Sequence, residues 1–354
     1  MKRILIVSRD ISLKKDGGSL VSIRNERLLN MLGCETKRFI IPIPSLMTRL
    51  KNILFRQSYG ETKKLRKRFL EVINLGYDYI FFDGSIYGGF LKLASEKNIK
   101  TICFYHNVEV EYYRQKANQT HSIADRIMVS YIGQNEKLST EYSTKLISLN
   151  DRDSKHLEII YGRKADVLLP TSFPYRAIAP LYKSRLDQID PYLLFVGTNF
   201  FANIEGLKRF MTFVAPYVNH KIKIVGNIRD AFIQEKNIPE NIEFIGRVDS
   251  LEKFYLNAIA VIAPIFTGSG LKTKTVEALS YGKTVVGFSE AFEGIDCIKY
   301  PKSCIVVNSD KEFIEVLNNI DTTMRYNPAS EKLFQEQLSD EAQYDSLKRI
   351  FDSV

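Results

Sequence analysis

The chain has 354 residues, 45% hydrophobic and 26% charged, with only 19 Gly and 11 Pro, which excludes a largely disordered or fibrous protein. That length exceeds one ordinary hydrophobic core, so two domains are expected. The formal net charge is +9, and the four cysteines (Cys34, Cys103, Cys297, Cys304) lack the spacing of a disulfide framework or a zinc site.

The first apolar run, Ile4-Leu-Ile-Val7, is too short for a signal peptide and reads as a buried strand. No apolar stretch approaches the ~18–20 residues of a membrane span, so a cytoplasmic protein is expected. Further strands are expected at 37–42, 79–82, 101–105, 144–149 and 166–169, after the first at 3–7. Helices fit between them at 19–32, 63–74, 87–97 and 123–142, with Gly33 and Gly76 placed as C-terminal stops. Pro170, Pro174, Pro180 and Pro191 then mark an irregular stretch, 171–190, read as a linker. A second series follows, with strands at 192–196, 221–225, 242–245, 258–263, 284–288 and 303–307. Its helices are expected at 204–217, 251–257, 271–281 and 311–318, and the end of the chain from 330 reads as helix. The alternation describes α/β units with parallel sheet: two doubly wound Rossmann-like domains at 1–170 and 191–330, and a helical tail at 331–354. In open sheets of this kind ligands sit beyond the carboxyl ends of the strands, which places the expected site in the cleft between two facing domains.

Much of the positive charge is local. Between 47 and 70 lie Arg49, Lys51, Arg56, Lys63, Lys64, Arg66, Lys67 and Arg68, against the single acid Glu61, interleaved with Leu50, Ile53, Leu54, Phe55, Leu65, Phe69 and Leu70. Such a basic amphipathic segment suits an anionic membrane surface; a solvated helix face with core contacts explains it equally well. Nucleic acid is disfavoured, because one short basic segment is too little aromatic and basic interleaving.

The most informative stretch is 263–282, which contains Thr267-Gly-Ser-Gly-Leu-Lys-Thr-Lys-Thr-Val-Glu-Ala278. An apolar strand runs into Gly268-Ser269-Gly270, and a helix is expected to open at about Leu271 with Lys272 and Lys274 in its first turn. Cations are misplaced there, because a helix N-terminus carries partial positive charge. Backbone N–H groups, small residues and extra cations together describe a phosphate or diphosphate site. Gly270, Lys274 and Glu277, at i, i+4 and i+7, share one stripe, which puts a carboxylate where ribose hydroxyls would meet it. The alternative is a Gly-rich turn with a Lys274–Glu277 surface pair worth a few tenths of a kcal/mol.

With Phe195-Val-Gly-Thr-Asn199, Ile245-Gly-Arg-Val248, Tyr281-Gly-Lys-Thr-Val-Val286 and Phe292-Glu-Gly-Ile295 in the same order, the chain resembles the group 1, family-four retaining glycosyltransferases of GT-B fold. The resemblance is dense over 193–295 and looser before it. It implies that the C-terminal domain holds a nucleotide sugar: Gly270 and Leu271 at the diphosphate, Glu277 at the ribose, Arg247 and Val248 against the base. Gly197, Thr198 and Asn199 would line the same donor site. The first of the family's usual pair of glutamates would fall at Ser269, as in a related subgroup with Gly-Ser-Gly and alternating lysines. The family's arginine after Gly197 is replaced by Thr198, and 203–205 offers no lysine. Charge compensation for the diphosphate therefore falls to Lys272 and Lys274, and Lys274, on the face of Glu277, is expected to replace the missing pair.

In the N-terminal half the resemblance brings Gly17 and Gly18, in Asp16-Gly-Gly-Ser19, near the diphosphate and acceptor; a tight turn explains them nearly as well. His106, at the end of a strand in Cys103-Phe-Tyr-His-Asn-Val-Glu109, matches a cleft histidine beside the transferred sugar, where it would orient or polarise reacting groups. Asn107 and Glu109 are expected to shape its loop, and Asp83 to reach the acceptor.

The implied reaction is transfer from a nucleotide-diphosphate sugar to an acceptor hydroxyl with retention, the leaving diphosphate helping to deprotonate the acceptor. No cofactor and no metal is expected, since no Asp-x-Asp ends a strand and the lysines supply charge. The expected acceptor is a glycan or lipid-linked saccharide of bacterial surface-polysaccharide synthesis, with Lys63, Lys64, Arg66, Lys67 and Arg68 holding the chain at the inner face of an anionic membrane. The competing reading is a non-catalytic GT-B subunit that stabilises a partner glycosyltransferase. A nicotinamide oxidoreductase is disfavoured, because the first strand leads to Gly17-Gly18 and not to Gly-x-Gly-x-x-Gly.

Overall fold

The computed structural model describes residues 1–11, 17–184, 190–268 and 270–352. The chain divides into two compact units, Met1–Pro170 with Gln343–Val354, and Thr171–Ala342.

In the N-terminal unit the elements follow as β1 (Arg3–Arg9), α1 (Gly17–Met31), β2 (Glu35–Ile41), α2 (Leu46–Leu54), α3 (Lys63–Ile73), β3 (Tyr79–Asp83), α4 (Gly88–Ser95), β4 (Lys100–Tyr105), α5 (Glu109–Thr120), α6 (Ile123–Tyr142), β5 (Lys145–Ser148), α7 (Asp151–Tyr161) and β6 (Val167–Leu168). The six strands form one parallel sheet in the order β2-β1-β3-β4-β5-β6. Helices cover both faces of such a sheet, so inner strands read as unbroken apolar runs: Ile4 to Val7 are almost fully buried. The order reverses direction between β1 and β3, which makes that crevice the topological switch point.

The sequence expectation omitted α2, α5 and α7. Helix α5 carries few apolar residues, Val110 and Ala117 being its buried ones. Helix α7 had a legible start, since Asn150 caps the N–H of Asp153 at 2.8 Å, and a legible stop at left-handed Gly162. The basic segment is not one amphipathic stretch. Helix α3 turns Leu65, Phe69 and Ile73 into the core and leaves Lys63, Lys64, Arg66, Lys67 and Arg68 exposed. Helix α2 does the opposite: Leu46, Met47, Leu50 and Leu54, with Phe55 beyond its end, are 56–75% exposed.

The C-terminal unit runs α8 (Ala179–Ser184), β7 (Tyr192–Val196), α9 (Phe201–Phe213), β8 (Lys221–Val225), β9 (Ile242–Gly246), α10 (Glu252–Asn257), β10 (Ala260–Ala263), α11 (Thr273–Ser280), β11 (Val285–Gly287), β12 (Cys304–Val306), α12 (Asp310–Asn318) and α13 (Pro328–Leu333). Its parallel sheet has the order β12-β11-β10-β7-β8-β9, with the switch point between β7 and β10. Thr171 and Ser172, in the stretch read as linker, are buried, and Ser172 Oγ donates to Asp340 Oδ1 at 2.7 Å.

The tail is not one helix. A π-helical turn (Phe334–Leu338) follows α13, and Ser339 breaks the run, bridging Phe173 and accepting the N–H of Ala342 at 3.1 Å. Helix α14 (Asp340–Asp352) then starts, and from Gln343 onward it belongs to the N-terminal unit. There the ring of Phe351 meets Tyr79 edge-on at 5.0 Å.

Candidate active site

Because every strand of the C-terminal unit is parallel, the segments leaving β7, β8, β9 and β10 share one rim. Gly197 and Thr198 leave β7, Gly226 leaves β8, Arg247 leaves β9, and 264–271 leaves β10. The rim is tight. Gly226 has φ +116°, and a Cβ there would lie 2.1 Å from the carbonyl oxygen of Gly197, so only glycine fits. Asn199 N–H donates to Asn227 Oδ1 at 3.1 Å, tying the β7 loop to the β8 loop.

Helix α11 begins at Thr273, with Lys272 at the N-cap, two residues later than expected. Gly270 and Leu271 are therefore in the approach loop, and the stripe joining Gly270 to Lys274 and Glu277 is not a helical one. Gly270 takes a left-handed φ of +65°; Ser269 lies outside the described residues. The lateness has a cause: Lys272 Nζ donates back to Gly270 O at 2.8 Å and pairs with Glu290 Oε1 at 2.7 Å. With its side chain only 10% exposed, Lys272 pins the loop to the segment after β11, so its charge is already matched.

Lys274 has a different setting. Its Nζ donates to Asn203 Oδ1 and lies 4.7 Å from the centre of the Phe195 ring. Asn203 in turn donates to Thr198 O at 2.9 Å, which links Lys274 to the loop after β7 at the switch point. Neither partner is anionic. Burial, with a smaller effect from the Lys272 charge, lowers the Lys274 ammonium from its ordinary 10.5 to about 7. A half-buried cation without a counter-charge, beside a helix N-terminus whose first N–H groups precede the hydrogen-bond ladder, has the physics that suits an anion.

Glu277 stands one turn further along α11. Tyr255 of α10 donates its hydroxyl to Glu277 Oε2 at 3.1 Å, and the Tyr255 ring stacks on Tyr281 at 4.7 Å and 12°. Burial raises the Glu277 carboxyl to about 7, and the Tyr255 hydrogen bond opposes that rise. Lys274 and Glu277 are both half-buried, with separate partners, so the surface-pair alternative does not hold. Arg247 is exposed and Val248 half-buried on the rim after β9. Asn203 and Tyr255 were invisible as site residues in the sequence, because each acts through a partner far along the chain.

In the N-terminal unit His106 follows β4, and its Nε2 lies 2.9 Å from Asp83 Oδ1. Asn25 Nδ2 donates to the same oxygen at 2.9 Å. Asp83 is buried, which corrects its expected reach to an acceptor: it holds the imidazole. Burial alone would raise its carboxyl, but the charge and hydrogen bond of His106, with Ser22 and Asn25, outweigh that and hold it below the usual range. The loop after His106 is set by Glu136 of α6. This buried carboxylate accepts the N–H groups of Glu109 and Val110 at 2.8 and 3.1 Å and the hydroxyls of Ser85 and Tyr161 at 2.8 and 2.9 Å. It caps the start of α5, and burial raises its carboxyl to about 7. Gly17 and Gly18 form the first turn of α1, after a segment (12–16) outside the described residues. Among the described residues there is no cluster of three or more His, Cys, Asp or Glu able to hold a metal, and no helix long and apolar enough to cross a membrane.

A family model described as glycosyl transferases group 1 matches residues 190–320, the stretch that holds β7, β10 and α11. Over that stretch the chain is similar to group 1 glycosyltransferases. The whole chain has the GT-B fold. It superposes on Anabaena HepE, solved with UDP and glucose, at a TM-score of 0.64 and 13% identity over 100% of both chains. With TarM of S. aureus, solved with fondaparinux, alpha-GlcNAc-glycerol and UDP, the TM-score is 0.66 at 10% identity over 99% and 100% of the two chains. With the lipopolysaccharide outer core galactosyltransferase WaaB it is 0.58 at 12% identity, over 99% and 100%. In sequence the chain is 23% identical to an uncharacterized 44.6 kDa protein of the cps region of Klebsiella pneumoniae, over 90% of this chain and 91% of that one.

Proposed function

We propose that this glycosyltransferase moves a sugar, with retention and without a metal, from a nucleotide-diphosphate sugar to a hydroxyl of a saccharide or lipid-linked acceptor in bacterial surface-polysaccharide synthesis. The observation that carries this reading is Lys274 at the switch point, a desolvated cation with only Asn203 and an aromatic face for company. It lies beside the N-terminus of α11 and one turn from Glu277. A diphosphate there meets the cation and the helix N–H groups while Glu277 accepts from the ribose. As the bond to the sugar breaks, negative charge grows on the leaving phosphate, and a preorganised cation and N–H groups stabilise that charge without reorganising. Within the N-terminal unit, His106, held by Asp83, is the group suited to orient a sugar hydroxyl. The solved relative bound to UDP and glucose supports a uridine donor, and the cps-region relative supports a polysaccharide product. The exposed bases of α3 and the exposed apolar face of α2 suit peripheral attachment at the cytoplasmic face of an anionic membrane.

The test is UDP release by the purified chain from UDP-glucose, UDP-galactose and UDP-N-acetylglucosamine, with and without EDTA. Slow hydrolysis of one donor, unaffected by EDTA, is expected, and an α-linked product from that α-linked donor once an acceptor is supplied. Absence of UDP binding and of hydrolysis for every donor overturns the reading in favour of a non-catalytic subunit.

A further inference from the structure

All four cysteines are free thiols, and two of them meet. The segment between β11 and β12 folds back through two linked turns. Tyr300 N–H donates to Cys297 O at 3.2 Å, and Cys304 N–H donates to Tyr300 O at 3.2 Å. The buried thiol of Cys304, at the start of β12, thereby reaches a hydrogen bond with the half-buried thiol of Cys297. Nothing in the reaction proposed above uses either group.

The two thiols are chemically unequal. The hydrogen bond with Cys304 holds the Cys297 thiol below its ordinary 9.0, against burial and the charge of Asp296. The same bond, together with burial, raises the Cys304 thiol. Burial raises Cys34 and Cys103 as well, so Cys297 is the readiest of the four to ionise. Its neighbours Asp296, Ile298 and Lys299 are exposed, which leaves a small disulfide room to approach. A half-exposed, readily ionised thiol with a buried thiol behind it is the arrangement of a nucleophilic and a resolving cysteine.

The pair is also connected to the loop before α11. On one side it is anchored: Cys304 is in register with Val285 of β11, and the buried Tyr300 is hydrogen-bonded to Glu336. On the other side, successive turns run back through Ile295 and Phe292 to Glu290, the partner of Lys272 at 2.7 Å. Next to it, Ala291 O accepts the hydroxyl of Thr275 in α11 at 2.8 Å. An S–S bond is ~2.05 Å long, shorter than any hydrogen-bonded contact between thiols. With the β12 side fixed, the approach is taken up on the side that carries Glu290.

We propose that Cys297 and Cys304 form a regulatory dithiol that a low-molecular-weight disulfide oxidises, and that the resulting bond weakens donor binding by drawing Glu290 away from Lys272. The Cys297 thiolate attacks one sulfur of glutathione disulfide and breaks its S–S bond. A mixed disulfide forms, and one glutathione leaves as thiolate. Cys304 then gives up its proton and attacks Cys297 Sγ, releasing the second glutathione. The two protein thiols lose two electrons and two protons, and the two glutathione sulfurs gain them. The effect on the donor rests on the transferase reading above; the disulfide does not.

The test uses the full chain, reduced, desalted and equilibrated with glutathione disulfide. Thiols are then alkylated in denaturant and mapped by peptide mass, and UDP affinity is measured calorimetrically on both forms. Two of the four thiols should escape alkylation, in peptides joined through Cys297 and Cys304. The oxidised chain should bind UDP at least threefold more weakly, and dithiothreitol should restore the affinity. Cys304→Ser should stop at a glutathione adduct on Cys297. Cys297→Ser should take up none and keep its UDP affinity in oxidant. In Glu290→Gln the disulfide should still form, with no further change in UDP affinity. Four alkylated thiols in the oxidant-treated chain, or a bond elsewhere, overturn the pair. A Cys297–Cys304 disulfide with unchanged UDP affinity overturns the regulation and leaves the transferase standing. Disulfide formation in a chain that binds no UDP even when reduced sinks the donor reading and the regulation, and leaves the dithiol standing.

Discussion

Replacing Lys274 with methionine, which keeps the unbranched stem against Phe195 and removes the charge, separates the anion site from its surroundings. In the empty chain the ammonium is depressed from 10.5 to about 7. Between those values the unfolded chain binds more protons than the folded one, so this lysine opposes folding most below pH 7. That opposition fades as pH rises toward 10.5. At 1.36 kcal/mol per pH unit the difference of about 3.5 is worth about 5 kcal/mol, the ceiling on what an arriving anion recovers. A diphosphate beside Nζ returns the pKa toward its ordinary value, so UDP binding must take up a proton whenever the empty site is deprotonated. At pH 8.5 about 3% of empty sites are protonated on a pKa of 7, and nearly one proton is taken up per UDP bound. Affinity should fall about 50-fold between pH 7 and pH 9, because half the sites are protonated at the first and about 1% at the second. Calorimetric titration with UDP at pH 8.5, in buffers of different ionisation enthalpy, counts the proton directly. Working at pH 8.5 keeps Glu277, raised to about 7, largely ionised and out of the count. Lys274→Met should abolish the uptake and flatten the pH dependence. Equal affinity and equal proton uptake in the variant would refute the assignment of Lys274 as the diphosphate's cation.

Three further outcomes follow from the same geometry. Tyr255→Phe keeps the stack on Tyr281 and removes the hydrogen bond to Glu277, worth about 0.5–1.5 kcal/mol; UDP should bind about 3- to 10-fold more weakly, with less discrimination against 2′-deoxy-UDP. Since that bond holds the Glu277 pKa down, the alkaline shift in the onset of UDP binding is the part a merely structural role would not produce. Asp83→Asn removes the charge that holds His106; the turnover of the transfer reaction should fall while UDP affinity stays, and loss of UDP affinity would refute a role confined to His106. The chain has no tryptophan, so Phe55→Trp, at the exposed end of α2, reports lipid contact alone: its emission should shift to the blue with anionic vesicles and not with neutral ones. An unshifted spectrum would end the membrane reading of α2, whereas reversal by neutralising Lys63, Lys64, Arg66, Lys67 and Arg68 would support the contribution of α3.

The sequence by itself determined the alternation of elements and singled out the stretch proposed as the anion site. The strand at 192–196 was legible to the residue because a parallel strand buried on both faces is an unbroken apolar run, and the one at 221–225 because Lys-Ile-Lys-Ile alternates with the strand period of two. The Gly-Ser-Gly turn before a lysine-rich helix start was legible because cations at that end contradict the helix dipole. Tertiary structure decided which lysine is spoken for. Lys272 finds Glu290 and Lys274 finds Asn203, partners 18 and 71 residues away, and no local pattern carries that division. Packing also decided between α2 and α3, whose sequences interleave basic and apolar residues alike: one buries its apolar side and the other exposes it. A periodic pattern shows that a helix has an apolar face, but only the rest of the fold determines what that face meets.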